Sequence, residues 1–210
     1  MKKTLIALLA LAGVAAAGTN EEVITMPEAK TACTLKPEFG IEYLYGHADH
    51  KGEVDTDGVR ASIGTTLNTN SAFSHTFSLN LAYEWGDTSE SHGQDGSGHL
   101  DETKTAITLG YDLNYAITDK FKVFVGAKAG WSFCDYEFSV PKHNFKWEQE
   151  MDGFTYSVGA GIKYQVTESI SVKAGFELNR TYYGECGPAE ARHNIIPCLH
   201  VISVGVGYKF

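Results

Sequence analysis

Apolar and polar residues alternate along this chain from residue 38 onward, in segments of about ten residues separated by polar or turn-forming stretches. One face of each segment carries aromatic and aliphatic side chains, and the opposite face carries small, polar and charged ones. This two-residue period is typical of β-strands, and its length suits a tilted strand that crosses a bilayer. The pattern predicts eight strands, at about 38–46, 58–67, 75–85, 103–115, 121–133, 154–165, 170–180 and 197–210.

The connections between these segments differ in length. Those after the second, fourth and sixth strands are short, whereas the others are longer, polar and irregular. This asymmetry predicts an all-β fold, an antiparallel up-and-down transmembrane β-barrel with short periplasmic turns and long extracellular loops. A soluble β-sandwich is the alternative, because its strands also alternate.

Aromatic residues on the apolar faces separate the two alternatives. Those at the short-turn end are Phe39, Phe77, Tyr115, Phe121, Tyr164, Tyr208 and Phe210. Those toward the loop end are Tyr45, Tyr83, Trp85, Trp131, Phe154 and Tyr156. Such side chains prefer the membrane–water interface, so two rings of them predict a barrel that spans a bilayer.

The first 17 residues are predicted to be an export signal and not part of the fold. Lys2 and Lys3 form a basic start, which is followed by an apolar stretch and by three alanines at 15–17. The apolar stretch is shorter than the roughly 20 residues that a membrane helix needs. The expected organisation is a signal peptide at 1–17, a short N-terminal periplasmic extension at 18–37 and an outer-membrane barrel at 38–210.

The last strand has apolar residues at every second position up to its end. They are Ile202, Val204, Val206, Tyr208 and Phe210. This pattern resembles the terminal strand of bacterial outer-membrane proteins, and the whole chain after the signal resembles the small barrels typified by OmpX and the OmpA transmembrane domain. The resemblance implies a place in the cell outer membrane of a Gram-negative-type bacterium, contact with outer-membrane lipid, and recognition of the last strand by the barrel assembly machinery.

The charge balance is acidic. The chain has 17 Lys and Arg against 26 Asp and Glu, and loss of Lys2 and Lys3 with the signal leaves 15 against 26, a net charge of −11. Nucleic-acid binding requires clustered basic residues. We therefore expect no nucleic-acid partner.

The polar strand faces, which would line the lumen, contain acids and bases together. We expect three mixed layers from the loop end to the turn end. The first contains Arg60, Glu84 and Lys104, the second Glu42, Lys128 and Glu177, and the third Asp112, Lys122, Lys163 and Lys173. An eight-stranded barrel is about wide enough for its own side chains, and charges removed from water must be paired. The sequence therefore predicts a lumen filled by side chains, and a narrow pore for small solutes is the alternative.

The predicted loops are strongly acidic. Residues 47–57, 86–102, 134–152 and 181–195 contain 16 acidic residues, four basic residues and six histidines. Such loops could bind an extracellular macromolecule or divalent cations, since carboxylates and imidazoles are metal ligands. The best candidates for cation binding are His47, Asp49, His50, Asp55 and Asp57. No stretch has the spacing of a calcium loop or a zinc site, so we expect no resident metal or cofactor, and a plain solvated surface is the alternative.

Four cysteines in an exported chain suggest disulfides. Cys134, Cys186 and Cys198 fall at the loop end of the predicted barrel, whereas Cys33 falls at the opposite end. A disulfide needs Cα atoms within about 7 Å, and a bilayer is about 30 Å thick. The pairings Cys186–Cys198 and Cys134–Cys186 both stay open, and we expect Cys33 to be unpaired.

Some enzymes use barrels of this size, and His47, Asp87 and Ser89 loosely resemble the His, Asp and Ser of lipid A palmitoyltransferases. The match is poor because Thr88 separates the acid from the serine and the inward faces lack an apolar slot for an acyl chain. No nucleophile and base are arranged for catalysis. We expect a non-enzymatic barrel that presents its loops for surface interaction or adhesion, or that supports membrane integrity. A lipid A-modifying enzyme is the remaining alternative.

Overall fold

The computed structural model describes residues 34–48, 55–68, 72–91, 97–140, 145–183, 185–186, 193–194 and 198–210. The predicted signal at 1–17 and most of the predicted extension lie outside these residues. In the described part, no helix is long and apolar enough to cross a membrane. The strands are β1 Thr34–Ala48, β2 Thr56–Asn68, β3 Phe73–Ser91, β4 Ser97–Ala116, β5 Phe121–Val140, β6 Phe145–Gln165, β7 Ile170–Tyr183, β8 Glu185–Cys186, β9 His193–Asn194 and β10 Cys198–Lys209.

Eight of these strands close into an antiparallel barrel, in the order β1-β10-β7-β6-β5-β4-β3-β2. The two short strands β8 and β9 pair only with each other. Closure places the first strand beside the last, with Phe39 opposite Tyr208. The predicted eight-stranded antiparallel barrel is confirmed.

The alternation in the sequence corresponds to the two sides of the barrel wall. On β10, Val201 and Ser203 are 3% and 1% exposed, whereas Ile202 between them is 45% exposed. Successive side chains of a strand point to opposite faces, so one face lines the lumen and the other faces outward. Most of the large apolar side chains are therefore outside, as expected for a barrel that is surrounded by lipid.

Two turns at one end of the barrel have the same geometry. At residues 117–120 the Thr118 hydroxyl accepts a hydrogen bond from the Phe121 amide at 3.0 Å, and at 166–169 Thr167 does the same for the Ile170 amide at 3.0 Å. A threonine that bonds the backbone in this way favours a tight turn. We call this end the inner end, because the strands of outer-membrane barrels turn back soon after they leave the membrane on the periplasmic side.

Exposed aromatic side chains lie at both ends of the outward face. At the inner end, those more than 40% exposed include Phe39, Phe77, Tyr115, Tyr208 and Phe210. At the other end they include Tyr83, Trp85, Trp131, Phe154 and Tyr182. Exposed apolar area on this scale marks a membrane surface, and the outward face between the two rings is the apolar belt.

Four strands extend well past their predicted bounds at the end opposite the inner end. β3, β4, β5 and β6 have 19, 20, 20 and 21 residues. The predicted long loops at 86–102 and 134–152 were wrong, because strand pairing leaves only 92–96 and 141–144 as connections. The apolar outward face ends at the belt, but the backbone pairing does not. β1 also begins at Thr34, earlier than expected, because residues 34–37 pair with β2.

The extra length of these strands forms a four-stranded sheet beyond the belt. We call residues 86–91, 97–102, 134–140 and 145–151 the projecting sheet. Pairing of β2 with β3 stops at Asp57 and Trp85, and pairing of β6 with β7 stops at Gly153 and Tyr183. Within the described residues, the projecting sheet therefore has an open edge on β3 and another on β6.

Candidate functional site: the charged lumen and the projecting sheet

A buried ion network crosses the middle of the lumen. Arg60 on β2 is 6% exposed and binds Glu177 on β7 through both guanidinium ends, at 2.7 and 3.1 Å. The same guanidinium also binds Glu42 on β1, which its Nε reaches at 3.1 Å. Lys128 on β5 donates to Glu177 at 2.6 Å. The network joins strands from opposite sides of the barrel, and its two bases balance its two acids.

Further ion pairs lie above and below this network. Toward the projecting sheet, the Lys104 ammonium lies 3.6 Å from Glu84. Toward the inner end, Lys173 contacts Asp112 at 3.1 Å and Glu42 at 3.5 Å. Apart from Lys122, which has no ion pair within the described residues, the predicted inward charges form mixed pairs, which lowers the cost of removing them from water.

The layers differ from the prediction in two respects. Arg60 lies in the central layer, because the register of β1 and β2 sets it opposite Glu42. Glu38, which the sequence analysis did not include, pairs with Lys163 at the inner end. Even-numbered positions of β1 face inward, so continuing the alternation back through residue 38 would have identified Glu38.

Apolar side chains fill much of the remaining lumen. Above the network, a buried cluster consists of Leu44, Ala82, Ala106, Leu199 and Val201. Below it, the ring of Phe124 is 5% exposed and the Lys173 ammonium lies 4.4 Å from its centre. Leu44 and Phe124 interrupt the polar pattern of their faces because they occupy lumen space.

Two small cavities lie on either side of the ion network. The inner one has a volume of about 50 Å³ and the other about 20 Å³, and Lys128 lines both. Arg60 and Glu177 line the second cavity only. Volumes of this size hold a few water molecules at most.

Outside the belt, the outward face of the projecting sheet is acidic. Directly opposed residues form a row across all four strands, from Asp87 through Asp101 and Glu137 to Glu148. Nearer the belt, Asp135 opposes Glu150. Like charges that oppose each other across strands destabilise a sheet. We call these six residues the acidic face.

Few cations offset the acidic face. Lys146 lies 3.0 Å from Glu137 and 2.5 Å from Glu148, and His99 lies 3.1 Å from Asp101. Within the described residues, Asp135 and Glu150 have no ion pair. An open groove of about 680 Å³ runs along this face. The arrangement suits a positively charged ligand.

The inward side of the projecting sheet holds a different set of polar groups. The Cys134 thiol donates to the Glu102 carboxylate at 3.4 Å, and the hydroxyls of Ser132 and Tyr183 are 3.0 Å apart. Burial raises the pKa of the Glu102 carboxyl, and the nearby Lys104 only partly opposes this. Glu102 was missed in the sequence because it fell in a predicted loop.

The predicted cation site and disulfide fall partly outside the described residues. His47 hydrogen-bonds Asp55 at 2.9 Å, but Asp49 and His50 are not among the described residues. The part of the chain that the structure describes contains no group of three or more metal-ligating side chains. Cys134 and Cys198 form no disulfide in the structure, so neither of the two open pairings, Cys186–Cys198 and Cys134–Cys186, is formed there.

The residues considered for catalysis are not shown to assemble. His47 on β1 bonds Asp55, whereas Asp87 on β3 belongs to the acidic face. The side chain of Ser89 lies outside the described residues. No described contact joins these three residues into a nucleophile and its base.

Comparison with known proteins agrees with this architecture. Residues 4–210 match the profile of a family described as "Outer membrane protein beta-barrel domain". Comparison with curated proteins gives no significant match.

Several solved barrels have a similar fold at low sequence identity. Neisserial surface protein A is 16% identical, with a TM-score of 0.55 over 84% of this chain and 97% of its own. The outer membrane protease OmpT from Escherichia coli is 9% identical, with a TM-score of 0.53 over 91% of this chain and 100% of its own. A major outer membrane protein from Thermus thermophilus is 11% identical, with a TM-score of 0.51 over 84% and 100%. At such identities the similarity shows the fold alone.

Proposed function

Since the chain belongs to the outer membrane protein beta-barrel domain family, we propose that it is a non-enzymatic surface protein of the bacterial outer membrane. Its sealed barrel holds the projecting sheet outside the cell. There the acidic face binds basic segments of extracellular macromolecules. The observation that carries this proposal is the row of four directly opposed acids across four strands, from Asp87 to Glu148.

The electrostatics of the acidic face support a cationic ligand. Each unpaired carboxylate of the acidic face repels its cross-strand neighbour, and a bound ammonium or guanidinium group relieves that repulsion. Lys146 already does this for Glu137 and Glu148 within the chain. A basic segment would extend the same pairing to Asp135 and Glu150.

The open edges support an extended ligand. Residues 145–152 of β6 pair with β5 on one side, and pairing with β7 begins only at Gly153. An exposed strand edge presents unpaired backbone amides and carbonyls, which an extended peptide can bind as an added strand. Backbone bonds and charge pairs would then act together, with no need for a deep pocket.

The filled lumen supports a binding function over transport. The Arg60 network spans the barrel, and the cavities beside it have volumes of about 50 and 20 Å³. Solute passage would require at least four buried charges to separate. A narrow pore is the alternative function, and conductance distinguishes it.

Binding of a fluorescent oligolysine peptide to the refolded protein in zwitterionic micelles tests the proposal. The D135N/E150Q variant should weaken binding about tenfold, because two exposed charge pairs are worth roughly 1–2 kcal/mol together. The matched control, D119N/E168Q, neutralises two exposed acids in the inner-end turns and should leave binding unchanged.

Two results would contradict the proposal. One is equal weakening by D119N/E168Q, which would make the effect one of net charge. The other is calorimetric binding of calcium alone, if the D135N/E150Q substitutions abolish it and if calcium fully blocks oligolysine binding. The ligand of the acidic face would then be the cation and not a basic segment.

A further inference from the structure

The inner end of the lumen carries a concentration of lysines. Lys122 on β5 stands opposite Lys163 on β6, which in turn stands opposite Lys173 on β7. Lys209 on β10 and Lys36 on β1 lie within electrostatic range of Lys122. Like charges that oppose each other across strands destabilise a sheet, so this group needs compensating anions. We call these five residues the lysine mouth.

Two acids at this level compensate two of the five lysines. Glu38 pairs with Lys163, and the Asp112 carboxylate lies 3.1 Å from the Lys173 ammonium. Glu38 also accepts a hydrogen bond from the Thr66 hydroxyl at 3.3 Å, through its other oxygen. Both acids are therefore engaged within the barrel.

The other three lysines of the mouth lack such partners. Within the described residues, Lys36, Lys122 and Lys209 have no ion pair. Lys36 is exposed at the rim, whereas Lys122 and Lys209 are only partly exposed, so water does not fully replace the missing anion. The lysine mouth therefore has an excess of positive charge.

A buried hydroxyl beside the mouth also lacks a partner. Ser171 on β7 is 1% exposed, and its Oγ has no hydrogen bond within the described structure. It lines the inner cavity of about 50 Å³ together with Glu38 and Lys163. Gly207 stands opposite Ser171, and a Cβ there would lie 2.9 Å from the Oγ, so glycine keeps the space in front of the hydroxyl open. A buried hydroxyl without a partner costs free energy, which indicates that a polar group enters from the mouth.

The lysine mouth lies at the height of the inner aromatic ring. Lys209 stands between Tyr208 and Phe210 in the sequence, and the side chains of both aromatic residues are exposed on the outward face. Such rings mark the membrane–water interface, which is where lipid headgroups lie. Phosphate groups are therefore present at the height of the mouth.

We propose that the lysine mouth binds a phosphate group from the periplasmic side, through the ammonium groups of Lys36, Lys122 and Lys209. The Ser171 hydroxyl donates to the same group from the cavity. A phosphate fits because its several oxygens accept hydrogen bonds from ammonium and hydroxyl donors together. This chemistry is shared by a phospholipid headgroup and by free phosphate. The inference does not rest on the acidic face, which lies at the opposite end of the barrel.

Calorimetry with inorganic phosphate tests the proposal. The protein is refolded in micelles of a non-ionic detergent, and heat-modifiable gel mobility confirms that each variant folds. K122Q/K209Q should bind phosphate about tenfold more weakly than the unaltered chain, because two partly buried cations are lost. S171A should weaken binding about threefold, because one hydrogen bond to the anion is lost.

The matched control is K120Q/K146Q, which removes two exposed lysines outside the mouth, one in an inner-end turn and one on the projecting sheet. It should bind phosphate as the unaltered chain does. Equal weakening by the two double variants would overturn the proposal, because the effect would be one of net charge. Absence of phosphate binding by the unaltered chain would overturn it too, and unchanged binding by S171A would remove Ser171 from the site.

Mixed micelles distinguish the two sources of the phosphate group. Adding short-chain phosphatidylglycerol to the micelles should weaken the binding of inorganic phosphate, because headgroups at the rim occupy the mouth. The same amount of cholate, a detergent whose charge is a carboxylate, is the control for micelle charge and should compete less. Equal competition by both would mean that the mouth does not select phosphate, which contradicts the proposal. No competition by either would identify free phosphate as the ligand.

Discussion

The same strands meet two environments, and their side chains differ accordingly. Within the apolar belt, β4 and β5 present Ile107 and Trp131 outward. In the projecting sheet, the same outward face presents Asp101 and Glu137. The backbone pairing is continuous through both regions. Contact with lipid or with water therefore determines which side chains the outward face carries, whereas backbone pairing between strands does not require an apolar face.

The inward faces of the two regions also differ. Within the belt, Glu177 receives hydrogen bonds from Arg60 and Lys128, so its charge is compensated. In the projecting sheet, Glu102 is buried beside a thiol, and no described base forms an ion pair with it. Buried charge is thus paired in the barrel and only weakly compensated above it.

Removing Arg60 should produce the largest effect. The R60L variant leaves Glu42 and Glu177 with less compensation in the lumen, and breaking a buried pair costs about 3–5 kcal/mol. Urea unfolding in lipid vesicles measures the loss. R180L, which removes an exposed arginine from the outward side of β7, is the control and should change stability little. A loss no larger in R60L than in R180L would mean that the lumen charges are solvated.

Removing the Phe124 ring should have an intermediate effect. The ring packs beside Gly161, where a Cβ would come within 2.6 Å of it, and beneath the Lys173 ammonium. F124A should destabilise the barrel by about 2–4 kcal/mol, because it opens a cavity and removes a contact to a cation. V125A alters the outward face of the same strand and is the control. Equal losses would show that Phe124 does not fill the lumen.

Neutralising Glu102 should have the smallest effect, and the opposite sign. Because burial raises its pKa, the charged carboxylate destabilises the folded state, and stability falls as pH rises through that pKa. E102Q should therefore raise stability at neutral pH, by on the order of 0.5 kcal/mol, and should flatten its pH dependence. Thermal unfolding at several pH values measures this, with E168Q in an inner-end turn as the control. Destabilisation by E102Q would show that its carboxylate is compensated as Glu177 is.

The alternation of apolar and polar residues predicts the barrel because the two faces of a membrane strand differ strongly in polarity. For Glu42, Arg60 and Glu177 the alternation alone predicts the inward face, and all three side chains are buried. It does not give the register between strands, so it assigns Arg60 to the wrong layer. The projecting sheet is missed because its outward residues, such as Asp101 and Glu137, resemble a loop once lipid no longer selects apolar side chains.

Single-channel recording of the refolded protein in planar bilayers tests the central claim most directly, which is that paired side chains seal the lumen. With the Arg60 network closed across the barrel, the protein should insert without producing conductance steps. Stable and reproducible steps from the unaltered, correctly folded protein would contradict the account and would assign the barrel to transport.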